Sequence, residues 1–118
     1  MLHKSLKYLY DMLNAIELIE QFLKDCSDFT IYVNDLKTKS AVERQLAIIG
    51  EAANKYEKSK SESSDSLEFS KEIINFRNRL VHAYDSIDDS IVWAIKTNHL
   101  PQLKKEITTI IQKPNEIN

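Results

Sequence analysis

Ser40-Ala41-Val42-Glu43-Arg44-Gln45-Leu46-Ala47-Ile48-Ile49-Gly50-Glu51-Ala52-Ala53-Asn54-Lys55-Tyr56 carries Val42, Leu46, Ile49, Ala53 and Tyr56 at steps of four, three, four and three. At 3.6 residues per turn such steps return to one side of a helix, so the segment draws a single apolar stripe. The stripe predicts a long helix from about Lys39, with a helix-on-helix core for it to face. Gly50 lies inside it, where glycine costs about 1 kcal/mol relative to Ala. Either close packing of a neighbouring helix requires that glycine or the helix merely tolerates it.

Upstream, Leu2, Leu6, Leu9, Leu13 and Ile16 repeat the three- and four-residue steps and predict an amphipathic helix from about His3 to Lys24. Between the two, Phe29, Ile31, Tyr32 and Val33 favour extended backbone, while Asn34 and Asp35 suit a turn or a helix cap. Asp25 to Thr38 therefore reads as a connection. Downstream, Ser59-Lys60-Ser61-Glu62-Ser63-Ser64-Asp65-Ser66 is too polar to bury anything and reads as a loop. A third helix follows with Ile73, Ile74, Phe76, Leu80 and Val81, and with Arg77, Asn78, Arg79 and His82 interleaved. Asp85 to Asp89 supply a turn and acidic caps to a short helix carrying Ile91, Val92, Trp93 and Ile95. Pro101 fits a first helical turn, and Leu103, Ile107, Ile110 and Ile111 line a final helix ending near Pro114. No internal repeat is visible.

Composition agrees with an all-α chain of one domain over residues 1–118. One Gly, two Pro and one Cys in 118 residues exclude collagen-like, disulfide-scaffold and turn-rich all-β classes. The 42% hydrophobic content supplies a core, and a chain this short leaves enough apolar surface outside it to suggest self-association. Sixteen Lys and Arg against eighteen Asp and Glu give a net charge of -2, so no global positive field recruits nucleic acid and any RNA contact must rest on a local patch. No apolar run approaches the roughly 18 residues of a membrane span, so a soluble, cytoplasmic chain with no membrane partner is expected. Cys26 reads as a half-buried structural thiol. His3 and His99 have no Cys or carboxylate at metal-ligand spacing, so neither a metal nor another cofactor is expected. The absence of a Gly-rich phosphate loop and of a nucleophile elbow removes P-loop enzymes, kinases and Ser-His-Asp hydrolases.

Chemistry concentrates in Arg77-Asn78-Arg79-Leu80-Val81-His82-Ala83-Tyr84. A histidine titrates near neutrality, so His82 can take and return a proton. The permanently charged, forked guanidinium of Arg77 matches phosphate oxygens and the extra charge of a phosphoryl transition state. Positions five apart on a helix diverge by about 140°. Hence either the helix ends or kinks before His82, or two copies of the motif complete each other across a symmetric dimer. Taken without its neighbours, His82 reads as a helix-end residue bonded to a carbonyl. Arg77 and Arg79 read as surface charges paired with Glu72 or Asp85, and Tyr84 reads as a partly buried aromatic. Arg44 and Glu51, seven apart, share a helical face that is either a polar network near the site or simply solvated.

The same stretch resembles the Arg-spacer-His motif of HEPN-domain ribonucleases, and more closely the HepT branch, whose pattern Arg-x4-His-x-Tyr falls on Arg77, His82 and Tyr84. Glu43-Arg44 with Ile48-Ile49-Gly50-Glu51-Ala52 is similar to the second helix of that branch. Ile91-Val92-Trp93 with Leu100-Pro101-Gln102-Leu103 is similar to its closing segment, so about residues 41 to 105 are covered. Ile74-Asn75-Phe76 departs from the usual glycine-methionine pair before the Arg. The resemblance implies a HEPN-type bundle of four to five helices, with an up-and-down core and a short C-terminal helix. It also implies a homodimeric cleft and a toxin that is a metal-independent endoribonuclease acting on RNA, not DNA. Arg77 and His82 would be catalytic, with Asn78 and Tyr84 supporting them and Lys71 and Arg79 adding local charge for RNA. A 2'-hydroxyl would attack the adjacent phosphate to leave a 2',3'-cyclic phosphate. Tyr84 would accept AMP from a cognate MntA-like nucleotidyltransferase antitoxin, which silences the toxin. The alternative is a non-catalytic HEPN subunit that presents Tyr84 to such a nucleotidyltransferase without cutting RNA.

Overall fold

A computed structural model of the chain describes residues 2–60, 66–82 and 87–113, with 2, 3, 81 and 82 described by their backbone. These residues form α1 (Leu2–Phe22), α2 (Phe29–Val33), α3 (Leu36–Ser59), a 3-10 turn (Glu68–Ser70), α4 (Lys71–His82), α5 (Asp89–Asn98) and α6 (Leu100–Gln112). The all-α class expected from composition is observed, with six α-helices and no strand among the described residues. Most of the polar Ser59–Ser66 stretch, and Ala83 to Ser86 with Tyr84, lie outside the described residues.

The α3 stripe forms the centre of the core. Val42, Leu46, Ile49, Ala53 and Tyr56 are all buried, and each large side chain among them contributes about 1.5–3 kcal/mol by leaving water. α1 and α4 pack on α3, and α6 packs on α1 and α5. Ser5 near the start of α1 meets Ser59 at the end of α3, with Oγ to Oγ 3.2 Å, so these two helices run antiparallel. The Leu67 N–H, just before α4, donates to Glu57 Oε2 near the end of α3, which makes the α3–α4 pair antiparallel as well.

The buried face of α1 is offset from the expected stripe. Leu9, Met12, Ile16 and Ile19 are buried, whereas Leu6 is exposed and Leu13 only half-buried. Leu6 and Leu13 sit one residue, hence about 100°, round from the buried Ser5–Leu9–Met12 line. Cys26 is fully buried rather than half-buried, and burial pushes its thiol pKa up.

The largest departure is the stretch read as a connection. Phe29–Val33 is a short helix, not extended chain. The Asp28 side chain caps it by accepting the Ile31 N–H at 3.0 Å, and Asn34 Nδ2 donates to the Thr30 carbonyl at 2.9 Å. So short a helix draws its stability from tertiary packing: Tyr32 is wholly buried against Trp93, ring centroids 5.4 Å apart. Asp35 then starts α3 earlier than expected, accepting from the Thr38 N–H at 3.1 Å and from its hydroxyl at 2.7 Å. Asp88 caps α5 through the Ser90 N–H and hydroxyl, and Lys39 Nζ ties α5 to α3 by meeting Asp89 Oδ2 at 2.7 Å. Pro101 lies in the first turn of α6, which stops at Gln112, as the sequence suggested. No helix among the described residues is long and apolar enough to cross a membrane.

Candidate active site

α4 is held at both its start and its middle. At the start, Glu106 on α6 accepts the Glu68 and Phe69 N–H groups at 2.9 and 3.1 Å, so a carboxylate meets donors that precede the helix. Ile73 and Phe76 are buried against the core. In the middle, α4 crosses α3 at Gly50. A Cβ built there would lie 2.6 Å from Arg77 Cβ and 3.0 Å from the Ile73 carbonyl oxygen. Of the two readings of that glycine, close helix packing is the one the structure uses, and the residue it admits is Arg77.

The Arg77 guanidinium is fixed from two sides. Its Nη2 donates to Glu51 Oε1 at 2.7 Å and its Nη1 to Asn78 Oδ1 at 3.2 Å. Glu72 is not its partner in this arrangement, and Asp85 lies outside the described residues. Three of its five donors remain for another acceptor, and the side chain is 30% exposed. Arg77 borders a cavity of about 430 Å³ between α1 and α3. Lys7, Tyr8 and Asp11 of α1 line one side, and Arg44, Ile48, Glu51 and Lys55 of α3 line the other. The shared face of Arg44 and Glu51 is thus a polar wall beside Arg77. Among the described residues no group of His, Cys, Asp or Glu is placed to hold a metal ion.

His82 is the last residue of α4, and the helix runs from Arg77 to it without a break. The two positions therefore stay about 140° apart around the axis within one chain. Asn78 is exposed and bonded to Arg77. Lys71 and Arg79 are exposed on α4 and neither borders the cavity. Tyr84 falls outside the described residues. Sequence reasoning missed Lys7, Tyr8 and Lys55. Lys55 had a signal, four residues after Glu51 on the same face, but Lys7 and Tyr8 reach the site only through the α1–α3 packing.

The sequence pattern of the family described as "Ribonuclease HepT-like" matches residues 12–110. The chain belongs to this family. Among its relatives, a Methanocaldococcus jannaschii protein named "Putative RNase" is 36% identical over 92% of each chain. Another of that name from the same organism is 34% identical over 89% of this chain and 85% of its own. A Thermococcus cleftensis protein named "Probable ribonuclease HepT" is 35% identical over 86% of this chain and 89% of its own. No solved structure gives a significant match. In this HepT-like chain the Arg of the motif is locked to a glutamate 26 positions upstream, next to the glycine at which the helices cross.

That pair has a pH signature. Arg77 beside Glu51, with Lys55 adding to it, holds the Glu51 carboxyl below the usual carboxylate range. A depressed folded-state pKa contributes stability that is present above the unfolded value, about 4.3 for Glu, and is lost as pH falls through the folded value. The stability difference between wild type and Glu51→Gln is expected to be constant at neutral pH and to vanish on acidification below that range. Urea unfolding midpoints across pH 3 to 7 check it; a difference that persists in acid contradicts the ion pair.

Proposed function

We propose that the chain is a metal-independent endoribonuclease toxin that works as a symmetric homodimer. The single observation that carries this reading is Arg77, oriented by Glu51 and Asn78 with donors to spare at a cavity, five positions before His82 on an unbroken helix of a HepT-like chain. The angular separation of Arg77 and His82 supports two copies sharing a cleft, where the Arg of one approaches the His of the other. There the ribose 2'-hydroxyl gives up its proton and attacks the neighbouring phosphorus. The P–O5' bond breaks, and the leaving 5'-oxygen takes a proton, yielding a 2',3'-cyclic phosphate and a 5'-hydroxyl. His82 handles one of the two proton transfers, with the partner's His82 available for the other. Arg77 stabilises the added negative charge on the phosphoryl oxygens.

On the same reading Tyr84 is the AMP acceptor for an MntA-like nucleotidyltransferase. A phosphate group two residues from His82 would compete with RNA for Arg77. The deciding experiment incubates the purified, unmodified chain with total RNA in excess EDTA and determines the product ends. Cyclic-phosphate and 5'-hydroxyl ends are expected. No cleavage by folded dimer free of AMP would favour the non-catalytic subunit. Co-expression with a cognate nucleotidyltransferase is expected to add an AMP mass to wild type and not to Tyr84→Phe.

A further inference from the structure

We infer that the cavity between α1 and α3 is a binding subsite for the backbone of single-stranded RNA, in which Arg44 and Lys55 hold phosphates flanking the one at Arg77. The choice of RNA rests on the ribonuclease reading; the placement rests on local charge. The chain as a whole carries net charge -2, so its overall field does not attract a polyanion and a cationic patch must do so. Among the described residues that line it, Lys7, Arg44, Lys55 and Arg77 meet two carboxylates, Asp11 and Glu51. Asp11 neutralises Lys7 at 2.7 Å. Glu51 is shared, with one oxygen 2.7 Å from Arg77 Nη2 and the other 3.5 Å from Lys55 Nζ. Arg44 has no ion-pair or hydrogen-bond partner among the described residues. The cavity therefore has two positive charges in excess.

Their arrangement suits a strand. Arg44, Glu51 and Lys55 follow one another on a single face of α3, and eleven residues place Arg44 and Lys55 about 16 Å apart along the axis. Arg77 reaches the cavity between them through Glu51. Across the gap, half-buried Tyr8 supplies an aromatic of the kind on which unpaired bases stack, and Ala47 and Ile48 add an apolar floor. A protein-docking surface would be expected to be poor in lysine and other charged residues at its core; six of the ten described residues lining this cavity are charged.

A labelled single strand made entirely of 2'-O-methyl nucleotides lacks the attacking hydroxyl, so binding to the full chain is read without cleavage. The double variant Arg44→Gln/Lys55→Gln is expected to bind it about tenfold more weakly at low salt. Its plot of log affinity against log salt should flatten by about 1.4, from two lost phosphates at about 0.7 each. Both side chains are exposed, so the unfolding midpoint should match wild type. Unchanged affinity and slope, or a wild type that does not bind the strand, overturns the subsite. So does a variant that binds RNA normally but loses a protein partner. A wild type that binds with the full slope yet leaves an ordinary RNA strand uncut would sink the nuclease reading and keep the subsite.

Discussion

Arg77→Lys is expected to lower the rate of RNA cleavage by about 10²- to 10³-fold, the loss typical of removing one preorganised donor from a developing oxyanion. The substitution keeps the positive charge, so a purely electrostatic role would lose little. What it removes is the fork. Arg77 spends Nη2 on Glu51 and Nη1 on Asn78, and those two bonds set the plane of the guanidinium and so the direction of its remaining donors. An ammonium has no plane to be set: with one of its three donors on Glu51, the other two diverge from a single nitrogen and do not form the parallel pair that a guanidinium presents to a phosphate. The effect should fall on kcat, since the added charge exists only in the transition state. Because the side chain is partly exposed, the unfolding midpoint should move little. Cleavage by Arg77→Lys within about twofold of wild type would remove the guanidinium from the chemistry.

How far the sequence could lead is visible in three places. The α3 stripe was legible because helical period and burial coincide there: all five predicted positions are buried. In α1 the period was right and Leu9 and Ile16 of the predicted stripe are buried, but Leu6 is exposed and Leu13 half-buried, because these two lie on the edge of the packed surface and nothing local separates them from Leu9 and Ile16. Phe29–Val33 misled because its residues do favour extended backbone; the Asp28 cap and the burial of Tyr32 against Trp93 override that preference. The site divides in the same way. The order Arg77, Asn78, His82 is contiguous and readable. The partner of Arg77 is not, since Glu51 lies 26 residues away and becomes a neighbour only where α3 and α4 touch.

That crossing makes Gly50 a sensitive position. By helix propensity alone, Gly50→Ala should stabilise α3 by about 1 kcal/mol. The contact geometry opposes it. The new Cβ would sit 2.6 Å from Arg77 Cβ, and the Ile73 carbonyl oxygen is 3.0 Å away. Neither neighbour is the free end of a flexible side chain: one is a Cβ carried on the α4 backbone, and the other is the backbone itself. Relief requires α4 to lift away from α3, and forcing atoms into a packed interface costs about 1–3 kcal/mol. Net destabilisation is therefore expected for Gly50→Ala and a larger one for Gly50→Val, read as lower urea midpoints. The lift also carries Arg77 away from Glu51, and a displacement of about 1 Å in a catalytic group can cost on the order of 10²-fold in rate. Cleavage should thus fall in Gly50→Ala even at temperatures where it remains fully folded, which separates misplacement of Arg77 from simple unfolding. A Gly50→Ala chain more stable than wild type and equally active would mean that the helices do not meet as closely in solution, and that Gly50 does not set the position of Arg77.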